Sequence, residues 1–482
     1  MRRLQKIVLL LLFISISFVS KAQEKPWTLE ACVDYAIKHN ISIKQAELEG
    51  EQAKINKKGS FGALLPSLNS NTNYSWNRGL SQNVTTGGLE QSTSASSSVG
   101  INSNITLFSG FKNMNQLRKA NLNLLASKYR YEKIVEDISI NIATAYLQVL
   151  FAKENLKSAE AQLAISKEEI QRTQDLVDAG VRPRGDLLDI EATISTNEQR
   201  LVSAENSVEM ALLSLGQLLQ LENLDNFDIA SFNYELKPSE IGTKDWKTIY
   251  NKAKESRPSL QVADNAIEIA KLDMEIAKGN RYPTLSAFYN WNSRYSNRDK
   301  QSRTIMLDPI NPTQVIGTVA TTGDNVLAPN YISSITSSSA DPLFDQYKTN
   351  RGSSFGLSLR IPIFNGFSTE NGIKSAKIGL ERAALSKSQE SFNLERTIKT
   401  AFTDFKGAMK SYEAANKSFI AQEKALAYAK ERYQLGLLNA FDYNQVKTRL
   451  ITAEVNLLQA KYTYLFKQKV LEYYYGLPLT LN

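Results

Sequence analysis

The sequence predicts a duplicated α+β chain in which long heptad-patterned helices alternate with pairs of amphipathic strands. Three observations carry that expectation. Blocks of sequence recur at fixed offsets, a run of 67 residues holds neither Gly nor Pro, and two segments per copy alternate apolar with polar side chains. The 482-residue length allows several ordinary domains or one large repetitive architecture.

Residues 1–22 read as a secretory signal. Arg2, Arg3 and Lys6 precede the apolar residues 7–19, and Ser20 and Ala22 put small side chains just before a cut at Gln23. The segment carries four basic side chains and no acid, so half of the formal net charge of +8 leaves with it. Nucleic-acid binding thereby loses its main support, and no nucleic-acid partner is expected. No Cys follows the cut, so a lipid anchor is not indicated. No other stretch approaches the roughly 18 apolar residues of a membrane helix.

Leu107-Phe108-Ser109-Gly110-Phe111 returns as Ile363-Phe364-Asn365-Gly366-Phe367, an offset of 256 that also carries Gly180 onto Gly436 and Asp186 onto Asp442. Leu65-Pro66-Ser67-Leu68 returns as Tyr282-Pro283-Thr284-Leu285, an offset of 217. The difference of 39 residues is an insertion between the matched blocks of the second copy. The expected division is 1–22 signal, 23–244 first repeat and 245–482 second repeat.

Each copy opens with a helix, residues 28–58 in the first. The Gly- and Pro-free run 113–179 carries a seam through Ile138, Ile142, Val149, Ala152 and Leu163, with Ser166 and Thr173 as polar members. As one helix it would be about 100 Å long. The second copy repeats the seam through Leu394, Ile398, Ala401, Phe405 and Ala429 to Tyr433. A shorter helix, from Asp186 to about Leu219, returns alongside the long one. Together the two short helices of a copy match the long one in length.

Between the first helix and the long one lie two alternating segments. Leu68, Ser70, Thr72, Tyr74 and Trp76 share one face, and Asn69, Asn71 and Asn73 the other. Val99, Ile101, Ile105 and Leu107 alternate with Asn102, Asn104 and Thr106. In the second copy, Leu285, Ala287, Tyr289 and Trp291 oppose Asn290 and Asn292, while Phe355, Leu357, Leu359, Ile361 and Ile363 oppose Ser358 and Arg360. Four strands of about ten residues fit an outer-membrane barrel, though any half-buried antiparallel hairpin alternates as well. Trp76 and Trp291 sit where an interfacial girdle would. Four strands cannot enclose a lumen; two chains would give a filled barrel of eight, three a channel of twelve. In that channel Asn69, Asn71, Asn102, Asn104, Asn290 and Arg360 face the water. Loops over 77–96 and 292–352 join the strands on one side.

Catalytic chemistry has little to draw on. His39 and Cys32 are single, which excludes thiolate clusters and the usual zinc or iron sites, and no cofactor is expected. Cys32 is expected to be buried and inert, His39 to lie on the surface.

The chain resembles the TolC family of outer-membrane efflux proteins. The resemblance rests on Trp27-Thr28-Leu29-Glu30-Ala31 opening the first helix, on Leu64-Leu65-Pro66-Ser67-Leu68, on the Leu107–Phe111 motif with its repeat, and on Ala179-Gly180 and Leu435-Gly436 followed six residues later by Asp186 and Asp442. It implies a homotrimer with a twelve-stranded barrel in outer-membrane lipid and a helical barrel across the periplasm. Residues 222–244 and the short tail would form an equatorial girdle. It further implies a passive exit duct rather than an enzyme, joined to an inner-membrane transporter through a periplasmic adaptor that docks at the turns of Gly180 and Val181 and of Gly436 and Leu437. It also implies a constriction near these tips, with Asp186, Tyr433, Asp442 and Gln445 as candidates and Tyr433 meeting Asp186. Ahead of any gating role, Asp186 and Asp442 are expected to cap the returning helices. Departures stand beside these: Leu438 replaces an Arg, and Gln445 a second acid, whose loss should weaken cation block. Small-molecule efflux and secretion of a protein or peptide fit the same architecture, and a secreted coiled-coil adhesin is the rival of another class.

Overall fold

A computed structural model describes residues 26–82, 88–181, 183–230, 240–298, 305–306, 313–329, 331–332, 339–438 and 440–477. The expected signal lies outside them. The helices are α1 (Leu29–His39), α2 (Ile41–Gly62), α3 (Lys112–Asp178), α4 (Gly185–Leu219), α5 (Trp246–Ser256), α6 (Pro258–Gly279), α7 (Leu343–Thr349), α8 (Ser368–Gln434) and α9 (Ala440–Tyr475). Compactness divides the chain differently from its duplication. One unit holds residues 26–54, 122–269 and 380–477; the other holds 55–121 and 270–379.

The first unit is helical, and its core exists twice. Cys32, Ala36, Ile142, Tyr146, Val149 and Leu215 are buried in one cluster. The residues 217 or 256 positions on, Ile249, Ala253, Ile398, Phe402, Phe405 and Leu471, are buried in a second. Cys32 thus fills the place of Ile249 and behaves as a small hydrophobe. The seam of α3 closes where the heptads place it, with Leu163, Ser166 and Thr173 all buried. Asn197 of α4 donates to Ser166 Oγ at 2.8 Å, which satisfies the polar member of the seam. One 18-residue window of α3 is apolar enough by length and composition to cross a membrane, contrary to the expectation from sequence. Its Ile142 and Val149 belong to the helical core.

The opening helix is broken where one continuous rod was expected. Thr28 Oγ1 caps α1 by accepting from Ala31 N at 3.2 Å. Asn40 then turns extended, and its Oδ1 accepts from Ser42 N at 2.9 Å, restarting the chain as α2. Its amide also donates to Leu218 O at 3.3 Å. In the second copy the break falls at Arg257, also extended, because Pro258 follows it. Arg257 is buried; it donates to Glu136 at 2.9 Å and to Tyr473 O, and lies 4.8 Å from the Tyr473 and Tyr474 ring centres. The segment before α1 is tied in by Trp27, which pairs in parallel with Ile229, while the one proton of the buried Tyr146 hydroxyl is shared between Trp27 O and Ala230 O, both at 3.2 Å.

The second unit carries a four-stranded antiparallel sheet in the order β1 (Ser67–Gln82), β2 (Leu89–Ser109), β3 (Thr284–Ser296), β8 (Gly352–Arg360). Among the described residues the enlarged loop holds two small two-stranded sheets, β4 (Ile305–Met306) with β7 (Tyr331–Ile332) and, between them in the chain, β5 (Thr313–Thr318) with β6 (Asn325–Pro329). The first expected loop is largely strand. Ser- and Thr-rich residues 89–96 pair with β1 up to Gln82↔Leu89, since small polar side chains such as Ser96, 3.0 Å from Ser75 Oγ, bond across the ladder. Trp76 is therefore mid-strand rather than at a strand end. β8 stops at Arg360, short of the expected Ile361 and Ile363, as Pro362 has no N–H to donate. Leu107 sits at a register shift between Thr106 and Phe108.

Glu136 anchors a stability prediction. Burial raises its carboxyl above the ordinary range, and Arg257 opposes that rise. A raised carboxyl binds its proton more firmly in the folded state, so this contribution is full at low pH and is lost as pH rises through the folded value. Arg257→Met leaves the carboxylate unpaired and should cost about 3–5 kcal/mol near neutral pH. The loss should shrink in acid, where Glu136 is protonated; thermal unfolding in detergent at the two pH values checks it.

Candidate functional site

Both helical tips are built alike. Gly180 has φ 69°, and Gly180 N and Val181 N donate to Val177 O and Leu176 O, each at 2.9 Å. Gly436 has φ 74°, with Gly436 N to Tyr433 O at 3.1 Å and Leu437 N to Arg432 O at 2.8 Å. Each pair is the double bond of a Schellman stop, and the left-handed residue it needs is the Gly. Val181, Leu435, Leu437 and Phe441 are all exposed at these turns, an apolar surface in each copy.

The capping expected of the two aspartates is not what the backbone shows. Arg184 is the N-cap of α4, in helical conformation and without a side-chain cap bond, and Asp186 lies inside the first turn with its N–H donating to Pro183 O at 3.1 Å. Asp442 lies inside the first turn of α9. Pro183 supplies the carbonyl that turns the chain, which displaces the start of α4 toward it. Both carboxylates sit at the positive end of their helix dipoles.

Tyr433 is held by partners the sequence did not reveal. Its ring stacks on Tyr443, centroids 4.7 Å apart and planes 6° from parallel, and Arg172 lies 4.5 Å from its ring centre. Three helices, α3, α8 and α9, thus meet in one cation–aromatic–aromatic stack. Tyr443 follows Asp442 directly and Arg172 precedes seam member Thr173, yet neither type is diagnostic alone. Gln445 is exposed.

In the sheet unit the ladder brings the predicted polar residues into rows. Asn69 pairs with Asn102, which pairs with Asn290; Asn104 pairs with Ser67 and Phe288; Thr284 pairs with Arg360. Directly opposed residues share a face, so the Asn residues and Arg360 lie together. Phe288 joins them unexpectedly. Its ring covers Gly356, where a Cβ would come within 3.0 Å of it. The opposite face exposes Leu68, Trp76, Ile101, Phe355, Leu357 and Leu359. Toward its far end α7 covers it: Ser293 Oγ donates to Tyr347 O at 2.8 Å, and the Gln346 amide exchanges two 3.0 Å bonds with Ser296. The expected loop is thus in part a packed element. Strands of 16 and 21 residues are longer than the roughly 9–11 that a membrane-crossing strand needs.

The outer membrane efflux protein model matches residues 32–220 and 249–476, most of both copies. The chain belongs to the outer membrane efflux protein family. Relatives include the alkaline protease secretion protein AprF of Pseudomonas aeruginosa, 23% identical over 92% of this chain and 82% of its own. Another is the outer membrane protein TolC of Escherichia coli K12, 22% identical over 89% and 78%. The fold matches the CmeC outer membrane channel of Campylobacter jejuni, TM-score 0.71 at 20% identity, over 93% of this chain and 85% of that one. As an outer membrane efflux protein it is a channel rather than an enzyme, placed in the outer membrane with a large periplasmic helical part. The adhesin reading is set aside.

Cys32 is buried, and burial first and Glu30 second push its thiol up to about 12. In the folded protein at pH 8 it should resist a disulfide reagent for hours and react within minutes after denaturation, a difference read by absorbance. Gly436→Val forces a β-branched residue into the left-handed region at about 1–2 kcal/mol. Faster hydrogen exchange at 436 and 437, with the core amides unchanged, would register it.

Proposed function

We propose that three copies close a twelve-stranded barrel in outer-membrane lipid, and that the helices form a periplasmic duct exporting small molecules from an inner-membrane transporter through a periplasmic adaptor. The observation that carries this reading is the two-faced sheet. One side presents exposed apolar and aromatic residues, the other rows of Asn with Arg360, and four strands close only as part of a larger ring. On this reading Asn69, Asn71, Asn102, Asn104, Asn290 and Arg360 line water, and the exposed turns of Gly180, Val181, Gly436 and Leu437 receive the adaptor. The two repeats, 23–244 and 245–482, each contribute one strand pair and one long helix.

The tips regulate passage in this proposal. Tyr433, fixed by Tyr443 and Arg172, stands with Asp186 at the narrowing, and Asp442 forms a ring of like charges about the axis that attracts cations. Gln445 adds no charge to that ring, which weakens block by cations. Protein secretion is the second reading, favoured by the likeness to AprF, a protein named for secretion of a protease.

Light scattering of detergent-extracted protein should give three chains per particle, and a monomer would sink the duct. In a planar bilayer the double variant Tyr433→Phe with Asp186→Ala should raise single-channel conductance severalfold; an unchanged value would remove these residues from the gate. Loss of resistance to small toxic compounds in a deletion strain, with normal secretion, supports the efflux cargo over the secreted one.

A further inference from the structure

We propose that the barrel lumen binds small organic anions (carboxylates, sulfonates and phosphates) on two rings of arginine, Arg294 at the loop end and Arg360 at the helix end. This rests on the trimer reading and names the cargo class of the same duct. The four strands hold only four charged side chains, Arg78, Glu90, Arg294 and Arg360. Cross-strand register sorts them between the two faces. Arg360 lies opposite Thr284, and Arg294 opposite Ser98, which in turn faces Asn73. Both arginines therefore share the face of Asn69, Asn102 and Asn290. Arg78 pairs with Thr93 on the other face, beyond Trp76.

Between the two arginine rows that face carries only Asn, Ser, Thr, Gly and Phe288. No carboxylate on it competes for a guanidinium between the rows, and both arginines are exposed in one copy. Among the described strand residues Glu90 is the one acid of this face. It lies eight residues along β2 from Ser98, the neighbour of Arg294, which is about 27 Å at 3.4 Å per residue. The screening length is about 10 Å at 0.1 M salt, so Glu90 leaves the Arg294 row positive. Thr284 and Arg294 stand ten residues apart, about 34 Å along β3, or about 26 Å of height at a strand tilt of about 40°. The apolar band of an outer-membrane barrel is about 25 Å tall, so one row falls at each end of it.

The ligand class follows from the chemistry of the rows. A guanidinium is charged at any physiological pH and meets the oxygens of a carboxylate, sulfonate or phosphate as a two-pronged donor. The Asn amides between the rows add N–H donors along the path of such an anion. In three copies each row becomes a ring of three like charges in a lumen whose walls between the rows are uncharged. Such a field raises the local concentration of anions about tenfold or more and repels cations. The periplasmic tips carry the opposite sign through Asp186 and Asp442. Those acids act where the transporter drives passage. Cargo leaves the barrel by diffusion, so the charge of the barrel acts on it unaided.

Fluorescence anisotropy of a pyrene trisulfonate, titrated with the detergent-extracted full-length protein, reads the rings whatever the state of the tips. Binding should weaken about tenfold or more in Arg294→Gln with Arg360→Gln, and again between about 0.1 and 1 M salt, where the screening length falls to about 3 Å. Equal affinity of the parent and the double variant would overturn the proposal. In planar bilayers, Asp186→Asn with Asp442→Asn removes the acids of the narrowing from the reading. The zero-current potential under a KCl gradient should then show chloride preferred over potassium about threefold. Adding Arg294→Lys with Arg360→Lys should keep that preference, and adding the Gln pair should abolish it. Potassium preference with both arginines in place would sink the rings. Light scattering keeps the two readings apart: a monomer fells the trimer, whereas three chains with neither dye binding nor chloride preference fell the rings alone.

Discussion

A backbone amide facing hydrocarbon has no water to bond, so in the proposed barrel the two outer edges of the four-stranded sheet need partners. That constraint governs the sheet unit. The β2–β3 ladder satisfies the inner edges of two hairpins, each marginal by itself. The outer edges stay open, and around them the chain keeps its apolar side chains exposed: Leu68 and Trp76 on β1, Phe355, Leu357 and Leu359 on β8. An exposed apolar edge is an aggregation hazard in a soluble monomer, but it suits the lipid-embedded barrel of several copies proposed above.

The helical unit answers a different demand, since two copies of one plan must pack in one body. The cores coincide position by position, yet the helix breaks are made differently. Asn40 caps its own restart and donates to Leu218 O. Arg257 relies on the following Pro258 for the break and fills the corner with a guanidinium shared among Glu136, Tyr473 and Tyr474. Duplication has kept the bend while its chemistry diverged. The tips diverged less, because a Schellman stop needs a left-handed residue and Gly supplies it at both.

Much of the fold was legible from the residues. A Gly- and Pro-free run with a heptad seam marked α3 nearly to the residue, the repeated seam from Leu394 to Tyr433 marked the later part of α8, and the alternation found four strands and sorted the Asn residues onto one face. The failures have physical causes. Ser and Thr between residues 89 and 96 carry the composition of a loop, but their backbone pairs with β1 and their hydroxyls bond across it. Phe288 escaped attention because an aromatic on the polar face makes sense only over Gly356, a neighbour on another strand. The Arg172, Tyr433 and Tyr443 stack joins residues up to 271 positions apart in the chain, and no local pattern encodes it.

By itself the sequence determined the period of each element, the duplication, the stops at Gly180 and Gly436 and the poverty of catalytic groups, because these depend on local backbone preference and on side-chain type. The tertiary structure alone decided which side chain covers which: that Cys32 stands in for Ile249, that Arg257 is buried against Glu136, and that the insertion folds back through Gln346 onto β3. Such choices follow from burial and from which polar atoms remain to be satisfied, and both are properties of the packed chain rather than of any segment of it.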